Sequence, residues 1–367
     1  MTQRTGKRAV LVAANQPLEI WERPVADPGT GEVLVRLTHG GVCGTDVHFW
    51  RGEVPLPGPV VLGHEGVGVV EALGAGVGTD YAGAPLAVGD RVYWQPVAPC
   101  QRCYACTVLG DVSMCENAFA GVFGDAGGPT AASYCEYATL RAGLPFYRVP
   151  DDTPSDAVIA LGCALPTMLQ GIERLEGIRP GMSVVVQGCG PVGLAATLLA
   201  QLSGAAPLIV IGAPARRLAV ARQFGATYTL DMDELADPEG RIARVWQLTG
   251  GRGADVVIEA AGALPAFGEG LQLLARGGRY LVVGLWSAPG AVSVEPRQIN
   301  NRNLRIIGTA LAQPRHLYQA LQVVQAQHQR FPLAEVVTHR YRIEDSQQAL
   351  EAVARLETVK AVITPAG

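Results

Sequence analysis

The chain has 367 residues, of which 49% are hydrophobic and 17% charged, and its formal net charge is −4. This composition is typical of a globular protein with two or three domains and excludes a disordered chain. No basic run, membrane-spanning apolar stretch or signal peptide is recognisable, which argues against nucleic acid, membranes and secretion. We therefore expect a soluble cytoplasmic protein with reduced thiols.

The chain has two successive regions with different sequence patterns. The first 150 residues are rich in Gly, Pro and Val and predict a β-rich domain, with strands at Val33–Leu37, Val67–Leu73 and Arg91–Trp94. After Asp151, strand-like and helix-like segments alternate, which predicts βαβ units around a parallel sheet and an α/β fold. These segments are Ser183–Gln187, Val192–Leu202, Leu208–Ile211, Ala215–Phe224, Asp255–Glu259, Phe267–Leu274 and Tyr280–Gly284. The tail adds a helix at His316–Gln327, a strand at Val336–Tyr341 and a helix at Asp345–Leu356.

A dense group of cysteines lies in a loop at about residues 97–118 of the β-rich region. The spacing is C-x2-C-x2-C-x8-C, formed by Cys100, Cys103, Cys106 and Cys115. Four thiolates this close predict a tetrahedral structural zinc site, and disulfide pairing is the alternative. Because such a site has no free position for a substrate, it would brace a lobe and not perform chemistry.

A glycine-rich turn opens the βαβ region. The strand Ser183–Gln187 runs into G-C-G-P-V-G at residues 188–193 and then into an apolar helix, the context of a dinucleotide-binding turn. Here Gly188 would allow the tight turn, Gly190 would admit a pyrophosphate and Gly193 would let the helix pack on the sheet. A glycine-rich turn in another α/β fold is the alternative.

The end of the next strand bears on the choice of cofactor. An acidic residue there would hold the ribose hydroxyls of NAD, but this chain has Gly212, followed shortly by Arg216 and Arg217. A glycine leaves space for a 2′-phosphate and an arginine neutralises it, which favours NADP. The alternative is that both arginines are solvated helix residues. Pro191 and Val192 complete the predicted cofactor-binding set.

Three separate segments hold further metal-type ligands. They contain Cys43, His64 and Cys163, which together offer two thiolates and an imidazole and leave a fourth position open, as a catalytic zinc requires. Taken singly, Cys163 is more typical of a buried core thiol and His64 of a satisfied polar residue.

With these motifs in place, the chain resembles a zinc-dependent member of the medium-chain dehydrogenase/reductase family, which includes the alcohol dehydrogenases. The resemblance rests on C-G-T-D-V-H at 43–48, G-H-E-G-V-G-V-V-E-A-L-G-A-G-V at 63–77, the Cys-rich loop, G-C-A at 162–164 and the Gly-rich turn, in the family's order. It implies a GroES-like catalytic domain at 1–164 and 309–367, and a Rossmann domain at 165–308. It also implies a homodimer or homotetramer.

The resemblance assigns roles residue by residue. It implies that Cys43, His64 and Cys163 bind the catalytic zinc, with Glu65 as a carboxylate that can approach the metal, and that the four loop cysteines bind the structural zinc. Thr45 would hydrogen-bond the substrate alcohol, Asp46 would orient the ligand histidine and His48 would end a proton relay. Two features depart from the family pattern: the last gap in the Cys-rich loop is eight residues where seven is usual, and Gly212 replaces the usual acid.

The implied function is hydride transfer between an alcohol and NAD(P), reversible with the aldehyde or ketone. Trp50, Trp94, Phe119 and Trp286 lie near motifs that line the family's cleft, which favours a bulky secondary alcohol, although polyols and simple packing roles stay open. Two alternatives remain: a zinc-free quinone or enoyl reductase of the same fold, and a non-catalytic zinc-stabilised binding protein. A content of two zinc ions per chain would distinguish the zinc-dependent dehydrogenase from both of these alternatives.

Overall fold

The computed structural model describes residues 4–56, 58–118, 123, 126–286 and 290–365. The chain divides into two compact units, which are residues 1–163 with 311–367, and residues 164–310. Within the described ranges, no helix is both long enough and apolar enough to cross a bilayer.

The strands are β1 (Thr5–Leu11), β2 (Glu19–Pro24), β3 (Val33–Val42), β4 (Val60–Val61), β5 (Glu65–Leu73), β6 (Arg91–Trp94), β7 (Tyr137–Leu140), β8 (Phe146–Arg148), β9 (Val184–Gln187), β10 (Leu208–Gly212), β11 (Tyr228–Asp231), β12 (Ala254–Glu259), β13 (Leu274–Val282), β14 (Arg305–Gly308), β15 (Val337–Tyr341) and β16 (Lys360–Ile363). The helices are α1 (Gly44–Trp50), α2 (Tyr104–Thr107), α3 (Ser155–Ala160), α4 (Ala164–Arg174), α5 (Pro191–Leu202), α6 (Ala215–Gln223), α7 (Pro238–Leu248), α8 (Leu264–Leu273), α9 (Pro296–Asn301), α10 (Pro314–Gln327) and α11 (Ser346–Ala354).

A six-stranded parallel sheet forms the middle unit. Its strand order is β11-β10-β9-β12-β13-β14, which is the doubly wound order 3-2-1-4-5-6 when the strands are numbered within the unit. Every residue of the central strands β9 and β10 is buried, and both strands are apolar except for Gln187 at the end of β9, as expected for a parallel sheet covered on both faces. The carboxyl end of β9 leads directly into the Gly-rich turn and α5, which places that turn where such folds bind ligands.

The other unit is built on sheets that are antiparallel except for the parallel pair β15 and β16. A seven-stranded sheet follows the order β15-β16-β3-β5-β6-β8, with β7 also paired to β3, and a three-stranded sheet follows β2-β1-β4. Strand β16 pairs antiparallel with β3, so the last part of the described chain completes the sheet that the first part begins. Buried large side chains such as Trp94 and Tyr134 fill the core of this unit.

The predicted α/β fold is confirmed. The predicted strand Arg91–Trp94 coincides with β6, and Val192–Leu202 coincides with α5 apart from the added Pro191. Strand β3 continues to Val42, five residues past the predicted end, because the buried Gly40 and Gly41 pair directly with β5 and β16 even though they interrupt the alternation. The predicted strand Tyr280–Gly284 overlaps the end of a longer strand, β13, which stops at Val282, two residues before the predicted end.

Candidate active site

Asp46 connects two candidate metal ligands, Cys43 and His64. It is the third residue of α1 and is fully buried. Its Oδ2 accepts a hydrogen bond from the backbone N–H of Cys43 at 2.9 Å, and its Oδ1 lies 3.0 Å from Nδ1 of His64. A carboxylate that engages one ring nitrogen orients the imidazole and leaves the other nitrogen for a metal ion. Nε2 of His64 is therefore the ring atom available for coordination.

Two thiols complete this donor set. The Sγ atoms of Cys43 and Cys163 lie 3.7 Å apart, although the residues are separated by 120 positions in the chain. One donor atom from each of Cys43, His64, Glu65 and Cys163 lies within 4.8 Å of the others. A zinc–sulfur distance of about 2.3 Å in tetrahedral geometry places two sulfurs about 3.8 Å apart. The donor chemistry and spacing therefore fit a zinc ion.

Protonation at this site is linked to metal binding. The hydrogen bond from the Cys163 thiol lowers the pKa of Cys43 well below its ordinary value, and His64 adds to that effect against the cost of burial. Burial opposes an imidazolium, but the Asp46 carboxylate outweighs it and raises the pKa of His64. Because a metal binds thiolate and neutral imidazole, loading the site releases protons.

A buried ion pair stands beside the donor atoms. Glu65, the first residue of β5, accepts a hydrogen bond at Oε1 from the backbone N–H of Cys163 at 2.7 Å, and its Oε2 pairs with Nζ of Lys360. Both side chains are only 1% exposed. Burial alone would raise the pKa of Glu65, but the Lys360 ammonium and then His64 lower it to about 2. Each oxygen of Glu65 thus has one protein partner, and the charge of the carboxylate is matched by Lys360.

The residues predicted to relay a proton lie on α1. Thr45 is its second residue and His48 lies about one turn later, and both are half-buried. Nδ1 of His48 contacts Oε2 of Glu53, a partner that the sequence analysis did not name. The helix thus carries a hydroxyl two residues after Cys43 and an imidazole whose side chain is 34% exposed.

Two further residues of this neighbourhood were missed by sequence reasoning. The hydroxyl of Tyr134 donates to Oδ2 of Asp46 at 3.0 Å, and no local motif marks it. Lys360 could have been found, because a lysine inside the apolar run Val359–Ile363 is the pattern of a buried charge with a partner.

The aromatic residues proposed to line a cleft have different positions. Trp94 is fully buried, and its Nε1 donates to the carbonyl of Ala131 at 2.9 Å, so it is a core residue. Trp50 is partly buried and donates to the carbonyl of Gln16. Phe119 and the side chain of Trp286 lie outside the described residues.

The second group of thiols lies in the Cys-rich loop. The Sγ atoms of Cys100, Cys103, Cys106 and Cys115 lie within 4.8 Å of one another, and all are free thiols. Helix α2 begins directly after Cys103, and a short 3₁₀ turn at Val112–Met114 brings Cys115 back to the group. Backbone N–H groups near Arg102 and Cys103, together with neighbouring thiols, lower the pKa of Cys100 to about 6. Four converging thiols, one of them readily ionised, fit a closed zinc site.

We expect Cys106→Ser to lower the zinc content from two ions per chain to one and to lower the thermal unfolding temperature. The metal would otherwise hold the loop together, because the small cluster of Val97, Cys115 and Ala118 offers little apolar packing there. Metal analysis and differential scanning calorimetry measure the two effects.

Cys135→Ser is the matched control for Cys106→Ser. Its buried thiol donates to the carbonyls of Ala132 and Tyr137, and it belongs to neither thiol group. This variant should keep both zinc ions. An unchanged zinc content in Cys106→Ser would contradict the assignment of the loop.

The second unit carries the predicted dinucleotide turn. Gly188 has φ of +104°, and a Cβ added to Gly193 would lie 2.0 Å from the carbonyl oxygen of Gly188, so both positions require glycine. Beside Gly190 the space is open: the nearest atom to an added Cβ is Nη1 of Arg217 at 3.9 Å. Helix α5 begins at Pro191, and its first-turn N–H groups suit a phosphate. These features fit a pyrophosphate over the turn.

The residues proposed to choose the cofactor lie at the next strand and helix. Gly212 is the last residue of β10, Arg216 is exposed and Arg217 is 7% exposed. Burial lowers the pKa of Arg217 from its ordinary value, which is high enough to leave it charged.

Two protein-family models match this chain. The model of the alcohol dehydrogenase GroES-like domain matches residues 29–151, and that of the zinc-binding dehydrogenase matches residues 191–326. A 5-exo-hydroxycamphor dehydrogenase of Pseudomonas putida is 46% identical over 358 residues, which cover 97% of this chain and 98% of that protein. The chain belongs to the zinc-dependent medium-chain dehydrogenase/reductase family.

Other dehydrogenases are also similar to this chain over nearly its full length. A sorbitol dehydrogenase of Halalkalibacterium halodurans is 30% identical over 94% of this chain and 95% of its own length. The solved structure of a zinc-binding dehydrogenase of Sinorhizobium meliloti 1021 bound to NADP has a TM-score of 0.85 at 27% identity, covering 99% of this chain and 100% of that one. The chain is accordingly a zinc-dependent oxidoreductase that transfers a hydride between an alcohol and NAD(P). The alcohol is a secondary alcohol or a polyol. The zinc-free reductase and the non-catalytic binding protein are set aside.

Proposed function

We propose that this enzyme oxidises a bulky, largely apolar secondary alcohol at a zinc ion held by Cys43, His64 and Cys163. The observation that carries the proposal is the convergence of these three side chains, with Glu65 engaged by Lys360 and a fourth position left for substrate. The relative at 46% identity acts, by its name, on 5-exo-hydroxycamphor, a bicyclic secondary alcohol. A polyol is the second candidate, because the sorbitol dehydrogenase is also a full-length relative.

Each residue would have a distinct task. When bound, zinc supplies a Lewis acid that lowers the pKa of an alcohol hydroxyl, and the nicotinamide accepts the hydride. Asp46 holds the imidazole of His64 in its ligand orientation through the 3.0 Å contact with Nδ1. Thr45 would accept the proton of the alcohol while its own hydroxyl proton passes on, and His48 would release that proton towards solvent.

A panel of alcohols, assayed with NAD and with NADP by absorbance of the reduced nicotinamide, tests the proposed substrate. Bicyclic and other bulky secondary alcohols should have a higher kcat/KM than sorbitol or xylitol. A higher kcat/KM for the polyols would favour the second candidate. Absence of turnover with every alcohol and carbonyl, in a protein that contains two zinc ions, would refute the proposed function.

We expect Thr45→Ala to lower kcat by about 10²- to 10⁴-fold, the usual contribution of a positioned acid–base group. The alanine removes the hydroxyl from the second residue of α1 and leaves the donor atoms in place. Thr45→Ser keeps the hydroxyl and should retain most of the activity. Steady-state kinetics measure both variants, and full activity of Thr45→Ala would refute the relay.

We also propose that the chain forms a homodimer or homotetramer. Strand β14 is an edge of the six-stranded sheet, and its Ile306 is exposed. The Cys-rich loop adds a group of exposed apolar side chains, namely Tyr104, Val108, Leu109 and Met114. Unpaired edges and exposed apolar groups are features that assembly covers. Light scattering coupled to size exclusion measures the state, and a monomer would contradict this proposal.

A reducing compartment such as the cytoplasm suits the proposed chemistry. All eight cysteines are free, and seven of them lie in the two donor groups or at the dinucleotide turn. Thiolates must stay reduced to hold zinc.

A further inference from the structure

The end of β10 lacks a side chain for a steric reason. A Cβ added to Gly212 would lie 2.5 Å from Sγ of Cys189 and 3.2 Å from Cβ of the same cysteine. Cys189 is 3% exposed, and its thiol donates to the carbonyl of Ala213 at 3.4 Å, so it is held in this place. The volume in which a side chain at 212 would begin is therefore filled by the thiol of the Gly-rich turn.

Charged side chains of both signs lie around this point. Arg217 is almost fully buried with Nη1 beside Gly190, and Arg216 is exposed on the same helical turn. Asp231 stands opposite Gly212 in the register of β10 and β11, and its Oδ1 accepts the backbone N–H of Asp233 at 2.9 Å. A guanidinium thus lies beside Gly190, and the carboxylate of Asp231 already caps its own turn.

We propose that Cys189 and Gly212 act as one packed pair that sets the dinucleotide preference, so that this chain binds NADP at least as tightly as NAD. The thiol excludes the carboxylate that would hold a ribose 2′-hydroxyl and would repel a 2′-phosphate. The neighbouring guanidinium groups attract the phosphate. The inference rests on the proposed dinucleotide site at Gly188–Gly193 and adds its selectivity.

The pair makes a prediction that a single residue would not. Gly212→Asp alone forces a Cβ to within 2.5 Å of a buried sulfur, a contact so short that the thiol or the backbone must shift. Cys189→Ala removes that sulfur and leaves contacts of 3.2 Å, which a shift of a few tenths of an ångström relieves. A carboxylate at 212 should therefore be accepted only when Cys189 is also changed.

The experiment is isothermal titration calorimetry of the zinc-loaded enzyme with NAD⁺ and NADP⁺ in the absence of alcohol, with thermal unfolding measured in parallel. The wild type should bind NADP⁺ with a Kd equal to or below that for NAD⁺, and Cys189→Ala should keep that order. Gly212→Asp should unfold at a lower temperature and bind both cofactors more weakly. The double variant Cys189→Ala/Gly212→Asp should recover the unfolding temperature and prefer NAD⁺ by about tenfold or more, the size of one charged hydrogen bond.

Three outcomes would overturn the inference. The first is a wild type that prefers NAD⁺ more than about tenfold, beyond the loss of one such hydrogen bond. The second is a Gly212→Asp variant that folds normally and switches preference without a change at Cys189. The third is a double variant no more stable than Gly212→Asp. A wild type that binds neither cofactor would instead refute the proposed dinucleotide site itself.

Discussion

Cys43→Ser should lower kcat/KM by about three orders of magnitude or more and reduce the zinc content from two ions per chain to one. A Lewis acid at a reacting oxygen contributes several kcal/mol, and each 1.36 kcal/mol corresponds to about tenfold in rate. The serine keeps the start of α1, because Cys43 donates to Asp46 through its backbone N–H. The loss should therefore be confined to the metal and its chemistry. Metal analysis measures the zinc content, steady-state kinetics measure kcat/KM, and circular dichroism tests whether the fold is kept.

Two other variants make this result specific. Cys135→Ser changes a buried thiol outside both donor groups and should keep both ions and the activity. His64→Ala should also lose the ion and the turnover, and it leaves Oδ1 of Asp46 without its 3.0 Å contact. A Cys43→Ser enzyme that contains two zinc ions and turns over at the wild-type rate would refute this site.

Lys360→Met should lower the free energy of unfolding by about 3–5 kcal/mol, the usual cost of leaving one charge of a buried pair without its partner. Glu65 and Lys360 are each 1% exposed, so water does not replace the lost ammonium. The double variant Glu65→Gln/Lys360→Met removes both charges and should recover part of the loss. Urea unfolding of the zinc-loaded protein at neutral pH measures all three proteins.

The same pair has a defined pH dependence. The folded pKa of Glu65 is about 2 and the ordinary value is 4.5, so its contribution is complete above pH about 4.5 and is lost as the pH falls towards 2. The difference in stability between wild type and Lys360→Met should therefore narrow over that range. A difference that stays constant would contradict a charge origin.

Lys7→Met is the control for the buried pair. Nζ of Lys7 lies 2.6 Å from Oε1 of Glu344, but both side chains are about two-fifths exposed. Solvent and salt screen such pairs, so this variant should be hard to separate from the wild type. Comparable losses for Lys7→Met and Lys360→Met would mean that burial is not the cause.

Local sequence patterns predicted many of the strands, helices and metal ligands, because short stretches of sequence largely determine these features. The run Ser183–Gln187 is apolar and bounded by a turn, so it could be assigned to a buried strand, and β9 begins one residue later. The loop cysteines were found because four cysteines at this close spacing are typical of a zinc site. Cys43, His64 and Cys163 lie in separate segments, and the resemblance assigned their joint role. The GroES-like and Rossmann assignments came from the resemblance, since no single period in the sequence specifies them.

Contacts between distant residues could not be predicted in this way. The pairing of Glu65 with Lys360 joins residues 295 positions apart, and the hydrogen bond from Tyr134 to Asp46 joins residues 88 apart. Neither spacing is a motif, because the first depends on how β5 and β16 align in the sheet and the second on how the bend at Tyr134 packs against α1. The role of Gly212 was likewise interpreted as room for a phosphate, whereas the nearest neighbour of its missing side chain is a thiol.

The long separation between Glu65 and Lys360 also bears on biosynthesis. A ribosome delivers Cys43, His64, Glu65 and Cys163 well before it adds the lysine that neutralises the carboxylate. Until β16 joins β3, the nascent lobe carries an anion beside its metal donors without a counterion. The electrostatic setting of this centre is thus completed only after its metal donors have been synthesised, when the returning strand docks.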